Sequence, residues 1–345
     1  MLECFCGVEC KRSLVPHLKS KHPKEWRTWG SSFVELRNKG LSYHSIINKF
    51  KNKEGRFLIS SKVVEQEVQR LVEEGMPIKI PRKEKIKEWQ PKDFTVNRET
   101  FWIFEKRGSW AVHQSDYRGN WSPYIPRSLI EHYSKEGDIV LDPFIGGGTT
   151  LIETWLTNRK GVGIDINPLS LITTKALLQE MHDQSKTDPR ISLRDDLKPE
   201  VLMGDARSLK DHLKKIQIYD NKIKLACLHP PYINSLKYTA TIDGDLSHIT
   251  NPSEFCDQLE CIAQQIYDLL KDDGICGVLV GDVKRNGELI PFGFLAMERF
   301  LNLGFKLRNI IVKTQHKDSS TRYWYTKRKM VDFLIAHEYL FIFGK

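Results

Sequence analysis

The chain has 345 residues, of which 40% are hydrophobic, so it is long enough for one large or two moderate folded domains. Its formal net charge is +9, and no apolar run approaches the roughly 20 residues that a membrane-spanning helix needs. The first residues, MLECFCGVEC, lack the apolar segment of a secretion signal. The composition therefore excludes a membrane protein, and we expect an intracellular one.

The positive charge is concentrated in the first third of the chain. Residues 1–100 hold 21 Lys and Arg against 13 Asp and Glu, whereas residues 101–345 hold 32 against 31. A basic segment of this kind attracts phosphate backbones. The alternative interpretation is a well-solvated surface that includes a lysine-rich linker.

Residues 1–28 contain a candidate metal site. Two close pairs of Cys and His, spaced Cys-x3-Cys and His-x4-His, can supply the four ligands of tetrahedral Zn²⁺. Pairing Cys4 with Cys6 is an alternative, which we disfavour because one intervening residue makes a strained chelate. The segment SLVPHLKSKH resembles the helix of small prokaryotic C2H2-type zinc fingers, and a reduced segment without metal is the other alternative. The preferred ligands are Cys6, Cys10, His17 and His22.

Residues 29–76 are predicted to be helical. The pieces SSFVELRNKG, SYHSIINKFK and SSKVVEQEVQRLVEEG each start near a serine that can cap a helix, and the first and last end at glycine. Gly40 and Ser42 give the second and third pieces the spacing of a DNA-binding helix–turn–helix, with the third as recognition helix. Helix packing without DNA contact is the alternative. Residues 77–100 hold prolines and alternating charges and are predicted to form a linker or arm.

From residue 101 onwards strand and helix patterns alternate. The predicted strands are DIVLDPF, GVGIDIN, VLMGDA, KLACLHPP, GICGVLVGDV, FKLRNIIVKT and MVDFLIAHEYLFIF. The helical patterns TTLIETWLTNR and SLITTKALLQEM lie between the early strands. Such alternation predicts an α/β domain over 101–345, with a mostly parallel sheet covered by helices on both faces.

Three acidic residues follow successive strands of this sheet. Asp142 ends the first strand and opens the glycine-rich stretch LDPFIGGGTTLIE, where glycines allow close approach of a ligand to the backbone. No Lys-Ser or Lys-Thr follows the glycines, so a P-loop is excluded. Asp165 ends the second strand, where a carboxylate can accept hydrogen bonds from ribose hydroxyls, and Asp205 follows the third, where it could meet an adenine amino group. Singly, each could be a helix cap; together, in sheet order, they predict a nucleoside site.

The stretch NWSPYIPRSLIEHYSKEGDIVLDPFIGGGTTLIE resembles the joined cofactor motifs of the amino-group DNA methyltransferases, which modify cytosine N4 or adenine N6. That family binds S-adenosylmethionine at a D-P-F-x-G-x-G-T-T turn. The resemblance implies a Rossmann-like methyltransferase sheet with an antiparallel last strand, and Thr149 and Thr150 capping the helix near the methionine. Pro123 and the helix after it would cover the methionine end. The cofactor residues that it implies are Pro123, Asp142, Phe144, Gly146, Thr149, Thr150, Asp165, Asn167 and Asp205.

This resemblance covers roughly residues 110–345, and the C-terminal HEYLFIFGK also resembles the end of the family's catalytic sheet. The order of motifs departs from the commonest arrangement with this glycine turn, because the cofactor motif comes before the catalytic one. The chain therefore looks circularly permuted within the family, which a fold with close termini tolerates.

The segment His229-Pro230-Pro231-Tyr232 resembles the catalytic motif of that family and directly follows an apolar strand. An exocyclic amine is a poor nucleophile, and the family uses the first side chain and the first proline's carbonyl to accept its N–H hydrogens. Prolines hold that carbonyl rigidly, and the aromatic ring stacks on a flipped-out base. The first position is normally Asp, Asn or Ser. Neutral imidazole can also accept a hydrogen bond, so we expect activity to be lost when His229 is protonated; the alternative is a simple turn.

The remaining features refine the hypothesis. Cytosine-C5 methylation is disfavoured because it needs a nucleophilic cysteine, and Cys227, like Cys256, Cys261 and Cys276, is expected to pack in the core. The loop QHKDSSTRYWYTKRK, residues 315–329, is a second candidate DNA contact, with an ordinary hairpin loop as the alternative.

The whole pattern predicts a site-specific DNA methyltransferase in a prokaryotic or phage cytoplasm, associated with the nucleoid. Its expected partner is double-stranded DNA, with no membrane contact, and whether a cognate restriction endonuclease exists stays open. The alternatives are an RNA base methyltransferase and a catalytically inactive DNA-binding regulator. The choice between cytosine N4 and adenine N6 stays open.

Overall fold

The computed structural model describes residues 2–3, 9–10, 14–51, 59–80, 85–114, 117–233, 237–285, 288–315 and 333–345. No helix within these ranges is long and apolar enough to cross a membrane. The described residues form an N-terminal helical unit and a larger α/β domain that contact each other.

The N-terminal unit consists of a short hairpin followed by four helices. Its elements are β1 (Leu2–Glu3), β2 (Glu9–Cys10), α1 (Val15–Lys21), α2 (Pro23–Asn38), α3 (Tyr43–Ile47) and α4 (Ser61–Glu73). The strands pair antiparallel. The helices pack around buried Trp26, Phe33, Val64 and Val68, which gives this unit a small core of its own.

Serine caps begin two of the three predicted helices. The side chains of Ser42 and Ser60 each accept a hydrogen bond from the backbone N–H three residues later, at 3.1 and 3.4 Å. The prediction of a serine start for the first piece is wrong. Helix α2 begins at Pro23, whose fixed φ suits a first helical turn, and Ser32 lies inside it, donating to the carbonyl of Thr28 at 2.9 Å.

The α/β domain contains the elements that the strand and helix patterns predict, with shifted bounds. In chain order they are β3 (Phe101–Trp102), α5 (Tyr124–Tyr133), β4 (Ile139–Asp142), α6 (Thr149–Leu156), β5 (Lys160–Asp165), α7 (Pro168–Ser185), β6 (Glu200–Met203), α8 (Leu209–Lys214), β7 (Ile223–Leu228), α9 (Pro252–Leu269), β8 (Leu270–Val280), β9 (Val283–Arg285), β10 (Glu288–Ile290), α10 (Phe292–Asn302), β11 (Lys306–Thr314) and β12 (His337–Gly344).

Eight of these strands form one sheet in the order β3-β11-β12-β8-β7-β4-β5-β6. Strand β12 runs antiparallel to both of its neighbours, and the other pairings are parallel. The prediction of a mostly parallel sheet with an antiparallel last strand is confirmed. Strands β9 and β10 form a separate hairpin.

Helices cover both faces of the sheet, as predicted. Along β7, Leu225 and Cys227 pack on the face that carries α5, whereas Ala226 and Leu228 pack on the face that carries α9 and α10. Such alternation follows from the two-residue period of a strand, and it explains why buried strands have continuous apolar sequences.

Residues 85–100, which belong to the predicted linker or arm over 77–100, lie against the α/β domain. Ile86 and Trp89 are buried in one cluster with side chains of α6 and α7. The backbone N–H of Ile86 donates to Gln184 at 2.8 Å, and Trp89 Nε1 donates to Asp188 at 2.9 Å. These two buried side chains therefore attach a segment without regular secondary structure to the α/β domain.

Helix α4 connects the N-terminal unit to the α/β domain. It packs against α2 and α3 on one side and α7 on the other, leaving Lys62 and Gln66 as its exposed residues. A recognition helix presents an exposed face to the major groove, which this position does not favour. The helix–turn–helix interpretation stays a prediction.

Candidate active site

A cavity of about 380 Å³ lies at the carboxyl edge of the parallel strands, where ligands bind in open α/β sheets. The ends of β4, β5, β6 and β7 meet there, so residues distant in sequence line one space. The predicted site residues that line it are Phe144, Gly146, Asp165, Asn167, Asp205, His229, Pro230, Pro231 and Tyr232. The lining does not include Pro123, Asp142, Thr149 or Thr150; next to Pro123, it is Trp121 and Ser122 that face the cavity.

Asp142 stabilises the glycine-rich turn without lining the cavity. Its carboxylate accepts hydrogen bonds from the backbone N–H of Phe144, at 2.9 Å, and from the hydroxyl of Thr150. Burial raises the pKa of Asp142 to about 7, against the effect of these hydrogen bonds. Both carboxylate oxygens thus stabilise the turn, and the turn forms part of the cavity wall.

Thr149 and Thr150 do not cap α6, which corrects their predicted role. They are its first two residues, and the cap position is Gly148, with a φ of +79° that favours glycine. A Cβ at Gly148 would lie 2.8 Å from the side chain of Thr174. The turn therefore needs glycine here both for its backbone conformation and for close packing on α7.

Asp165 lies against the glycine turn. Its two carboxylate oxygens accept from the backbone N–H groups of Gly146 and Asn167, both at 2.9 Å. Burial raises the pKa of Asp165 to about 6, although these two hydrogen bonds act in the opposite direction. A carboxylate oxygen can accept a second hydrogen bond, so Asp165 can still bind hydroxyl groups from the cavity.

Asp205 has a partner that the sequence did not indicate. Arg207 Nη2 lies 2.6 Å from its Oδ2, and the backbone N–H of Arg207 donates to its Oδ1 at 2.8 Å. Burial would raise the pKa of Asp205, but the hydrogen bonds and charge of Arg207 outweigh burial, and the pKa lies below its ordinary value. Asp205 lines the cavity as a carboxylate, and its role toward adenine stays a prediction.

Asn167 joins three parts of the protein. Its Oδ1 accepts from the backbone N–H of Leu169 at 2.8 Å and from Gln69 of α4 at 2.5 Å, and its Nδ2 donates to the carbonyl of Tyr238 at 3.0 Å. Nearby, Glu73 of α4 accepts from the backbone N–H groups of residues 240 and 241, at 2.8 and 2.9 Å. The N-terminal unit therefore fixes the chain that follows the catalytic loop.

Two aromatic pairs form walls that sequence reasoning missed. Tyr117 stacks on Tyr238 with ring centroids 6.1 Å apart and an interplanar angle of 12°. Trp121 stacks on His229 at 5.4 Å and 14°. Because the segment 117–122 precedes the glycine turn by about 20 residues, only its aromatic composition could have suggested this contact.

A buried polar cluster anchors the segment before α5 to the glycine-turn helix. Glu153 of α6 is fully buried and accepts from Trp110 Nε1 at 2.7 Å and from Arg127 Nη1 at 3.0 Å, with His113 Nε2 at 2.5 Å. A buried carboxylate requires such partners. This cluster determines where the segment carrying Trp121 lies.

His229 follows β7 directly and faces the cavity between Trp121 and Tyr232. Its Nε2 lies 3.4 Å from the hydroxyl of Tyr232. Burial lowers the pKa of His229 to about 4; the charge of Glu338 acts against this shift and the charge of Lys313 acts with it. At neutral pH the imidazole is therefore uncharged and has one nitrogen that can accept a hydrogen bond.

Tyr232 is also hydrogen-bonded to a residue of the last strand, and Glu338 and Lys313 line the cavity with it. Its hydroxyl donates to Glu338 Oε1 at 2.5 Å, and Lys313 Nζ lies 2.6 Å from Glu338 Oε2. Neither Glu338 nor Lys313 was among the predicted site residues, because both lie in the last two strands, far along the chain from the catalytic motif.

Two predictions concern residues that are only partly described. His17 and His22 have ring centroids 5.2 Å apart, but Cys6 and the side chain of Cys10 lie outside the described residues. Among the side chains that the structure describes, no group of three or more His, Cys, Asp or Glu could hold a metal ion. The loop 315–329 lies outside the described residues except for Gln315.

The cysteines of the α/β domain pack largely as expected. Cys227, Cys256 and Cys276 are buried, and burial raises the pKa of the Cys227 thiol well above its ordinary value. Cys261 is exposed, so its predicted core position is wrong. A buried neutral thiol in a strand does not suit a nucleophile, which agrees with cytosine-C5 methylation being disfavoured.

Known proteins show sequence similarity to this chain over part of its length. Residues 20–173, a little under half of the chain, match the family model N6_N4_Mtase, described as DNA methylase. This range contains the glycine turn and Asp165 and ends before the catalytic loop. The similarity is thus to amino-group DNA methylases, and the relatives include Type II methyltransferases.

Two such relatives are archaeal. Identity to the Type II methyltransferase M.MjaII of Methanocaldococcus jannaschii is 28% over 144 residues, covering 40% of this chain and 27% of that protein. Identity to the Type II methyltransferase M.MwoI of Methanothermobacter wolfeii is 27% over 155 residues, covering 43% and 21%. The chain thus spans about a quarter of the length of these curated relatives. Among solved structures, TrmN from Thermus thermophilus aligns with 66% of this chain and 50% of that chain, at 18% identity and a TM-score of 0.42.

Proposed function

We propose that this protein is a DNA methyltransferase that transfers a methyl group from S-adenosylmethionine to an exocyclic amino group, cytosine N4 or adenine N6. The observation that carries the proposal is the single cavity lined by Asp165, Asp205 and the His229-Pro230-Pro231-Tyr232 loop. The similarity of residues 20–173 to DNA methylases supports it.

The residues around the cavity fit S-adenosylmethionine. Asp165 presents a buried carboxylate at a strand end, the place where ribose hydroxyls are bound in related sheets. Gly146 lines the cavity next to Asp165, and its φ of +47° favours glycine; a Cβ there would also lie 3.0 Å from the ring of Tyr117, so a larger residue would crowd the turn. When bound, S-adenosylmethionine supplies an electrophilic methyl group on a sulfonium sulfur.

The catalytic loop suits an amine acceptor. The carbonyl of Pro230 and an unprotonated nitrogen of His229 each accept a hydrogen bond from the exocyclic amino group, which directs the nitrogen lone pair away from the ring. Tyr232 stacks on the target base after that base has rotated out of the duplex. The low pKa of His229 keeps its imidazole neutral over the physiological range.

Methyl transfer from tritiated S-adenosylmethionine to duplex DNA, with transfer RNA as the competing substrate, tests this proposal. We expect label in DNA and none in RNA. Label in RNA alone would make the protein an RNA base methyltransferase. Cofactor binding without transfer to either nucleic acid would indicate an inactive DNA-binding regulator. Asp165→Ala, which lacks the ribose acceptor, serves as the negative control.

We also propose a structural zinc finger over residues 1–28, with Cys6, Cys10, His17 and His22 as ligands. The order strand, strand, helix of β1, β2 and α1 and the closeness of the two histidine rings support it. Zinc measured by plasma mass spectrometry should be one ion per purified chain, and none in a Cys6→Ser, Cys10→Ser variant. An unchanged zinc content in that variant would exclude this ligand set, and a metal-free wild type would exclude the finger.

Further parts of the proposal concern organisation and partners. The cofactor motif precedes the catalytic motif, so we infer a circularly permuted member of its family with double-stranded DNA as substrate. Because relatives are Type II methyltransferases, we infer a prokaryotic cytoplasmic setting and a cognate restriction endonuclease. DNA purified with the protein from its host should resist cleavage by that endonuclease.

A further inference from the structure

A chain of polar side chains runs from the catalytic loop into the sheet. It links His229 Nε2 to the hydroxyl of Tyr232 at 3.4 Å, that hydroxyl to Glu338 Oε1 at 2.5 Å, and Glu338 Oε2 to Lys313 Nζ at 2.6 Å. Glu338 and Lys313 are directly paired residues of β12 and β11, and their side chains are 8% and 18% exposed. Such a pair has little freedom to reorient.

The donor and acceptor roles in this series of hydrogen bonds follow from the number of hydrogens that each group carries. A tyrosine hydroxyl has one hydrogen, and Tyr232 donates it to Glu338. Toward His229 the same hydroxyl can therefore only accept, so Nε2 must carry the ring hydrogen. In a neutral imidazole that leaves Nδ1 as the unprotonated nitrogen.

Lys313 fixes the direction of these hydrogen bonds by keeping Glu338 ionised. Burial would raise the pKa of Glu338, but the charge of Lys313 and the hydrogen bonds that Glu338 accepts outweigh burial, and the pKa lies below its ordinary value. Glu338 is thus a carboxylate at neutral pH and cannot donate to Tyr232. Within the described residues, the groups that face His229 are Trp121, Tyr232, Glu338 and Lys313.

We propose that Glu338 and Lys313 are positioning residues which, through the hydroxyl of Tyr232, hold His229 in the Nε2–H tautomer and orient its Nδ1 to accept from the target amine. This inference rests on the proposed function and extends it, because it identifies what allows a histidine to replace the usual Asp, Asn or Ser. Without such control, a flipped His229 ring would direct its own N–H group toward an N–H group of the target amine.

The reaction balances with this assignment. As the bond between the amine nitrogen and the methyl carbon forms, the carbon–sulfur bond breaks and its electron pair stays on sulfur. One hydrogen of the amine passes as a proton to Nδ1, which makes the ring an imidazolium. The positive charge lies next to the Tyr232–Glu338 pair and is lost when the proton passes to solvent.

Nitrogen-15 NMR of the full-length protein, labelled at histidine and free of cofactor and DNA, tests the tautomer directly. His229 is assigned by the signals that disappear in His229→Asn. We expect an Nε2–H tautomer in the wild type, and mixed tautomers in Tyr232→Phe and Glu338→Gln. Tyr219→Phe, at an exposed position, should leave the His229 signals unchanged. An Nδ1–H wild type, or variant signals identical to wild type, would overturn the inference.

A kinetic cycle supplies the second readout. Tyr232→Phe keeps an aromatic ring for base stacking, so we expect kcat to fall about tenfold, the value of one hydrogen bond, with KM for DNA unchanged. An aspartate carboxylate has two acceptor oxygens and no donor, so in a His229→Asp background the same substitution should lower kcat by clearly less than tenfold. An equal loss in both backgrounds would show that the hydroxyl acts elsewhere. The NMR result needs no methyl transfer, so it separates failure of this inference from failure of the proposed function.

Discussion

Replacing Asp165 by alanine should remove most of the affinity for S-adenosylmethionine. Each oxygen of Asp165 accepts one backbone N–H at 2.9 Å and keeps a lone pair for a ribose hydroxyl. A hydrogen bond to a charged group contributes about 1.5–3 kcal/mol, so losing two costs about 3–6 kcal/mol. At tenfold per 1.4 kcal/mol, the dissociation constant should rise by roughly 100-fold or more.

Isothermal titration calorimetry of the cofactor measures this change. Asp211→Ala is a suitable control, because its carboxylate is exposed on α8 and should leave the affinity unchanged. Thermal unfolding of both variants shows whether the turn survives the loss of the Asp165 carboxylate. A folded Asp165→Ala protein with a dissociation constant within about twofold of wild type would refute the assigned ribose site.

Four further predictions concern pH dependence, packing and the docking of α4. Because burial raises the pKa of Asp165 to about 6, its carboxylate is protonated as the pH falls through that value, and KM for the cofactor should rise below pH 6. At saturating cofactor, kcat should stay flat to about pH 5, because the pKa of His229 is lowered to about 4; a loss centred near the ordinary histidine value of about 6.5 would contradict this. Gly148→Ala should lower the free energy of unfolding by about 1–2 kcal/mol or more, seen as a lower Tm, since its φ is +79° and a Cβ would meet a neighbouring side chain at 2.8 Å. Glu73→Gln should speed hydrogen exchange at the amides of residues 240–241, which its carboxylate accepts, and unchanged exchange there would contradict a docked α4.

Regular strands, helices and the strand-end carboxylates could be predicted from the sequence because they depend on local patterns. The apolar strand before each Asp fixes where the chain reaches the sheet edge, and parallel strands bring those edges together. The same logic placed His229 in the cavity. Helix starts were less predictable: α2 begins at Pro23 although a serine cap had been expected, and the cap of α6 is Gly148 although threonine had been expected there.

Contacts between distant segments could not be predicted. Glu338 reaches Tyr232 only because β12 lies beside β8 in the sheet, and Trp121 meets His229 only because Glu153 anchors the preceding segment. The lowered pKa of His229 arises from the same burial. With the ordinary histidine pKa of about 6.5, activity would fall as the pH drops through that value. Because the pKa of His229 is lowered to about 4, a profile flat to about pH 5 agrees with a histidine acceptor.

The reaction that we propose is transfer of a methyl group to an exocyclic amine of DNA. It can be tested by expressing the protein in cells without DNA methylation, digesting their DNA to nucleosides, and separating these by liquid chromatography against standards before mass spectrometry, since N4-methylcytosine and 5-methylcytosine have the same mass. We expect N4-methylcytosine or N6-methyladenine with the wild type and neither with Asp165→Ala. DNA that contains only 5-methylcytosine, or no modified base while the purified protein binds S-adenosylmethionine, would contradict it.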